Sequence, residues 1–148
     1  MKYENLINGK WLSAKNKALR EIRDPANDEL IASVAESSRE DAVNAIQAAR
    51  HAFDQGPWRK TTALDRGKLL FKIGDLIRTN AKMLAELETR NCGKPLAEAE
   101  FDVQDAANCF EFYGGLATKI HGETMSVPAN SLSFVLREPL GVCGQIIP

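Results

Sequence analysis

The chain has 148 residues, 44% of them hydrophobic, 26% charged and 7% aromatic, a globular composition that excludes a low-hydrophobicity disordered chain. Nineteen Lys and Arg against twenty Asp and Glu leave a formal charge of −1, so neither a basic field for nucleic acid nor an acidic tail is expected. No apolar run approaches the roughly 20 residues of a membrane-spanning helix, and Met1-Lys2-Tyr3-Glu4-Asn5 lacks the apolar stretch of a signal peptide. Cys92, Cys109 and Cys143 are too few and scattered for a disulfide framework or a zinc site, which makes a reducing, cytoplasmic setting the default.

Residues 1–35 read as short strands. Leu6-Ile7 and Trp11-Leu12 flank Asn8-Gly9, the pair best suited to two consecutive positive-φ positions, and a tight hairpin is expected. A second pair, Glu21-Ile22-Arg23 and Leu30-Ile31-Ala32-Ser33-Val34, is separated by the turn Asp24-Pro25-Ala26-Asn27-Asp28.

Residues 38–120 read as four helices. Ser38-Arg39-Glu40-Asp41 is a capping-box-like start, followed by the apolar stripe Ala42, Ile46, Ala49 and Phe53, and Gly56-Pro57 ends it. Thr62 opens the second helix, with Leu69, Leu70, Ile73, Leu76 and Ile77 expected on its buried side. Asn80 is expected to cap a third helix that closes near Gly93, and Pro95 suits the first turn of a fourth. The fourth stripe is Leu96, Val103, Ala107 and Phe110, and Gly114-Gly115 is expected to kink or end the helix. Ser133–Arg137 then alternates as a half-exposed strand, and Val142–Ile147 reads as a strand buried on both faces, as in a parallel sheet. Such a strand needs neighbours reached through a dozen or more residues, so an incomplete domain is expected.

The chain carries no P-loop, no GxGxxG and no HExxH. Gly141-Val142-Cys143-Gly144 has the wrong spacing for a phosphate cradle and precedes a strand. A catalytic cysteine needs a base, a cation or a helix N-terminus beside it, and none of the three cysteines has one, so all three read as small buried hydrophobes. His51 and His121 have no second ligand at metal spacing and read as surface histidines. Glu86, Glu88, Glu98, Glu100, Asp102 and Asp105 recur along helices with Lys and Arg nearby, the pattern of a solvated face.

Several motifs in order resemble one family. Arg137-Glu138-Pro139-Leu140-Gly141-Val142-Cys143-Gly144-Gln145-Ile146-Ile147-Pro148 closely resembles the entry into the cofactor-binding sheet of the aldehyde dehydrogenase superfamily. Leu87-Glu88-Thr89-Arg90-Asn91-Cys92-Gly93-Lys94-Pro95 resembles that family's Leu-Glu-Thr-x-Asp-x-Gly-Lys-Pro segment. Ile7-Asn8-Gly9-Lys10-Trp11, Asp24-Pro25-Ala26-Asn27, Arg39–Val43 and Ala48–Phe53 resemble its N-terminal hairpins and first helix, so the likeness covers essentially the whole chain. Betaine-aldehyde or broad-specificity members look most similar.

The resemblance implies an α/β chain, the N-terminal part of an aldehyde-dehydrogenase-like fold. Its parts would be hairpins over 1–35, helices over 38–120, an oligomerisation strand over 132–140 and the first cofactor-sheet strand over 141–148. It implies an oxidoreductase that converts small-molecule aldehydes to carboxylates with NAD or NADP, in a homodimer or homotetramer. In the family a cysteine thiolate attacks the aldehyde carbon, hydride passes to the nicotinamide, and water hydrolyses the thioester. None of the present cysteines matches that nucleophile, so no catalytic residue is expected here and the segment alone is expected to be inactive. A non-catalytic scaffold or oligomerisation remnant of the same fold is the alternative.

Ile146, Ile147 and Pro148 match the family's strand end along the dinucleotide. Ile22, Arg23 and Asn91 match positions that hold a monovalent cation in some members. Asn91 replaces the usual Asp, Asp24 the common Asn, and Asp28 the usual Gly.

Overall fold

The computed structural model describes residues 2–128 and 130–147. Strands β1 (Lys2–Tyr3), β2 (Asn5–Ile7), β3 (Lys10–Leu12), β4 (Leu19–Arg23) and β5 (Leu30–Ala35) come first. β2 and β3 pair antiparallel across Asn8 at φ 51° and Gly9 at φ 71°, the two left-handed positions that a two-residue hairpin requires. β4 and β5 pair antiparallel as expected, with an irregularity between Ile22 and Arg23. A feature not foreseen is β1, which lies parallel to β5 with Lys2 beside Ser33 and Tyr3 beside Val34. The β4–β5 turn places Asp28 at φ 61°. That left-handed conformation accounts for the glycine common there in the family that the sequence resembles, and Asp is among the side chains that tolerate it.

Helix α1 (Arg39–Gln55) begins in the expected capping box. Ser38 Oγ accepts from Asp41 N at 3.3 Å, and Asp41 Oδ2 accepts from Ser38 N at 2.8 Å and Ser38 Oγ at 2.7 Å. Both Asp41 oxygens also accept from Lys15 N at 3.2 Å, which ties the loop after β3 to the helix start. Gly56 ends α1, and a short 3₁₀ turn follows over Pro57–Lys60. Helix α2 (Ala63–Thr79) is capped by Thr62, whose Oγ1 accepts from Asp65 N at 3.1 Å. Helix α3 (Ala81–Cys92) follows Asn80, which satisfies the end of α2 rather than the start of α3, its Nδ2 donating to Leu76 O at 2.8 Å. Helix α4 (Leu96–Leu116) starts after Pro95.

The helical stripes differ from expectation. Within α1, Ile46 is exposed and only Phe53 of its larger stripe residues is half-buried; within α2, Leu69, Ile73 and Leu76 are exposed. α2 meets α4 through Gly67 and Gly74 against Gly114 and Ala107, with the Phe71 ring between them resting on Gly114. α4 runs through Gly114 and Gly115 and ends at Leu116, one residue beyond the pair; Gly114 is where α2 crosses. The enclosed apolar side chains are alanines, with Ala85, Ala99 and Ala107 among the helices and Ala14 and Ala32 by the strands. Arg78 fastens the same pair of helices. It pairs with Glu111, with Nη2 at 3.0 Å from Oε2, and donates to Asn108 Oδ1 at 2.8 Å.

Beyond α4, β6 (Glu123–Met125) and β7 (Ser133–Val135) form an antiparallel ribbon. β7 lies in the stretch read as a half-exposed strand; β6, too short to show a period, was not expected. Val142–Ile147 is a correction. It forms no strand, and Ile146 and Ile147 are 104% and 78% exposed rather than covered on both faces. A continuous apolar run becomes a doubly covered strand only where neighbouring strands supply hydrogen bonds and layers supply cover. No neighbour stands there among the described residues.

Candidate functional site

The C-terminal end of α3 rests on the β4–β5 turn. Gly93 adopts φ 79° and donates to Thr89 O at 2.8 Å, the left-handed cap that ends many helices. A Cβ on Gly93 would lie 2.9 Å from Pro25 Cγ, so the helix end approaches the turn as closely as glycine permits. Asp24 is buried at the junction, 8% exposed; its Oδ1 accepts from Ala26 N at 2.9 Å and its Oδ2 lies 3.9 Å from Arg90 Nε.

This contact brings together the two elements that carry Ile22, Arg23 and Asn91. Ile22 is half-buried in β4, whereas Arg23 and Asn91 are exposed. The ladder irregularity falls between Ile22 and Arg23, where the register steps from Ala32 to Leu30 and leaves the extra residue, Ile31, on β5. The α3 terminus adds unpaired carbonyls and the negative end of the helix dipole. Arg23 does not point a free charge at the junction: its guanidinium donates to Glu21 Oε2 at 2.7 and 3.2 Å and to Asp28 O at 2.8 Å. Sequence reasoning missed Asp24 as part of this place. Its signal was visible, an Asp before Pro that opens a turn, but the approach of α3 was not.

At the α3–α4 turn, Lys94 Nζ bridges Asp102 at 2.6 Å and Glu88 at 3.1 Å. Hydrogen bonding to Asp102 first, and then to Glu88, holds the ammonium well above the ordinary lysine range. The acidic residues expected as a solvated face therefore include two that clasp this turn.

All three cysteines are exposed, which corrects the expectation that they pack inside. Cys92 Sγ donates to Glu88 Oε1 at 3.6 Å, on the carboxylate that Lys94 already engages. Cys143 lies in the unpaired C-terminal stretch. His51 and His121 are exposed, and among the described residues no group of three His, Cys, Asp or Glu is placed to hold a metal ion. No helix among the described residues is long and apolar enough to cross a membrane. Of the expected dinucleotide-lining residues, Ile146 and Ile147 lie on extended, exposed chain; Pro148 lies outside the described residues.

The model of the aldehyde dehydrogenase family matches residues 11–148. Over 143 residues the chain is 50% identical to betaine aldehyde dehydrogenase of Bacillus subtilis (strain 168), covering 96% of this chain and 29% of that protein. It is 40% identical over 151 residues to human retinal dehydrogenase 2, covering all of this chain and 29% of that protein. Among solved structures, an NAD-dependent aldehyde dehydrogenase from Sinorhizobium meliloti superposes with a TM-score of 0.88 at 33% identity, over 94% of this chain and 28% of the other. Betaine aldehyde dehydrogenase from Staphylococcus aureus in complex with NAD+ superposes with a TM-score of 0.82 at 41% identity, over 86% of this chain and 25% of the other. The chain thus spans under a third of the length of these relatives. With nearly every residue matched by the family model and its fold reproduced in solved members, the chain belongs to the aldehyde dehydrogenase family.

Proposed function

We propose that these residues are the N-terminal portion of an NAD(P)-dependent oxidoreductase that converts aldehydes to carboxylates. The observation that carries the proposal is the joint agreement of sequence and fold with a solved NAD-dependent member. The exposed, unpaired Ile146–Ile147 main chain fits a strand end along a dinucleotide, because its donors and acceptors are open to a neighbour. Bound NAD or NADP would supply a hydride acceptor for the aldehyde carbon. This chain's part is to lead from the helices, through the segment 137–141 seated on α1, into that stretch. The nucleophile is assigned outside residues 1–148. Cys92 is occupied with Glu88 at a helix C-terminus, and Cys109 and Cys143 are exposed on α4 and on unpaired chain.

Oxygen ligands at the β4–α3 junction fit a monovalent cation. The carbonyls of Ile22 and Arg23 at the ladder irregularity and the side-chain oxygen of Asn91 would hold it, with Asp24 supplying a nearby negative charge. The edge of β7 fits pairing with a second copy, in a homodimer or homotetramer, since among the described residues β6 is its strand partner and the far side is without one.

The test is formation of NADH or NADPH from an aldehyde by the full-length polypeptide that carries these residues, beside residues 1–148 alone. Turnover by the long form and none by the short form is expected. Turnover by residues 1–148 would overturn the placement of the nucleophile. No turnover by either, across aliphatic, aromatic and betaine aldehydes with both cofactors, would favour the scaffold reading, in which the fold serves oligomerisation only.

A further inference from the structure

A groove of about 960 Å³ runs between the end of α1, the 3₁₀ turn, the first turn of α2, the end of α4 and the segment 137–141. That is within the usual size range of small-molecule sites. The segment is seated against α1: Gly141, at φ 100°, places its would-be Cβ 3.6 Å from the Phe53 ring and 3.8 Å from Arg50 Nη1. Phe53 and the half-exposed Trp58 give the groove an aromatic lining.

Three guanidiniums line the same groove, and each is fixed by one hydrogen bond to a main-chain carbonyl. Arg59 Nη1 donates to Asp54 O at 2.7 Å, Arg66 Nη1 to Thr61 O at 2.6 Å, and Arg137 Nε to His121 O at 3.1 Å. A fork pinned at one N–H has already lost rotamer freedom, so its remaining N–H groups bind a ligand at reduced entropic cost. The negative charges divide unequally. Asp54 is taken by Arg50, through two hydrogen bonds of 2.7 Å, and Glu123 lies 3.8 Å from Arg137. Among the described residues Arg59 and Arg66 have no carboxylate partner, and Glu138 lines the groove from the 137–141 segment.

We propose that this groove binds a phosphate monoester with an apolar or aromatic body, its phosphate on Arg59 and Arg66 and its body along Phe53 and Trp58. Two guanidiniums that line one groove, neither with a carboxylate partner among the described residues, suit a dianionic group, since each fork can donate two parallel hydrogen bonds. Glu138 opposes the anion and keeps it toward the Arg59–Arg66 side. The site is separate from the Ile146–Ile147 segment assigned to the dinucleotide, and the proposal does not rest on that assignment.

The probe is phenyl phosphate, titrated calorimetrically at low ionic strength into the full-length polypeptide saturated with NAD. Saturable binding is expected, with phenol and inorganic phosphate each at least tenfold weaker. Arg59→Gln and Arg66→Gln should each weaken it about tenfold or more, the scale of a lost charge-assisted hydrogen bond. Glu138→Gln should strengthen it several-fold by removing a like charge. Arg66→Gln also removes the bond to Thr61; if that variant fails to fold, the opposite signs of Arg59→Gln and Glu138→Gln carry the test. No binding, displacement by NAD, or a phenyl phosphate affinity unchanged in Arg59→Gln and Glu138→Gln would each overturn the proposal.

Discussion

Gly67 and Gly114 back directly onto one another: a Cβ added to Gly67 would sit 2.7 Å from Gly114 O, and one added to Gly114 would sit 3.1 Å from Gly67 O. The α2–α4 crossing is therefore set by main chain against main chain. Gly67→Ala gains roughly 1 kcal/mol of helix propensity. It must also push a helix backbone aside, and overpacking costs about 1–3 kcal/mol, with more where the obstacle is rigid. The expected result is net destabilisation, seen as a lower denaturant midpoint. Gly115→Ala is the control, because nothing lies within 4 Å of its would-be Cβ. It should raise stability by about 0.4–1 kcal/mol.

Asp41 gives the start of α1 a pH dependence of definite sign. Hydrogen bonds from the Ser38 main chain and hydroxyl, and then from Lys15 N, favour its charged form and hold its carboxyl below the ordinary aspartate range. Since the folded-state value lies below the unfolded one, the stabilisation is fully present above the unfolded aspartate range. It is lost as pH falls through the folded value. Asp41→Asn should therefore lower Tm at neutral pH, and the gap from the parent chain should close on acidification. Ser38→Ala should cost about 1 kcal/mol through loss of the cap. Thermal melts followed by circular dichroism across a pH series check both.

The sequence shows this cap, the Thr62 cap and the Asn8-Gly9 hairpin because each is settled within four residues, where the side chain and the main-chain group that it serves are neighbours. What it hides depends on partners far along the chain. Gly114 reads as a helix breaker until Gly67 is placed against it. Leu69, Ile73 and Leu76 read as a buried stripe although α2 meets α4 through Gly67, Phe71 and Gly74. β1 has only two residues and no period, and its parallel partners Ser33 and Val34 lie 31 positions along the chain from Lys2 and Tyr3, so local pattern carries no trace of it. The candidate site divides in the same way. Ile22, Arg23 and Asn91 are proposed from family likeness, while the buried Asp24 and its approach to Arg90 needed the α3 contact.

Gly93→Ala tests that contact. The left-handed φ of 79° costs a β-carbon residue roughly 1–2 kcal/mol, and the added atom would also press on Pro25 at 2.9 Å. A loss of about 1–3 kcal/mol is expected. On the proposed cation site, any stabilisation of the parent by an added monovalent cation should also shrink, because the helix end would be pushed off the turn. A variant with the parent's stability and cation response would show that the close approach is unimportant.

Arg78→Lys tests the fork on Glu111 and Asn108. Lysine keeps the charge but not the parallel hydrogen bonds, and both partners of the ion pair are about a third exposed, at 32% and 37% of their side chains. The expected loss is below about 1 kcal/mol and shrinks further in high salt. Chemical denaturation at low and high sodium chloride measures it.

An interior whose enclosed side chains stop at a single methyl has a calorimetric signature. Heat-capacity increments on unfolding scale with the oily area newly wetted, and here most leucine, phenylalanine and isoleucine residues are already exposed. Residues 1–148 examined in isolation should give a broad, shallow endotherm with a nearly flat baseline step. Dyes that fluoresce on greasy patches should light up before any heat is applied.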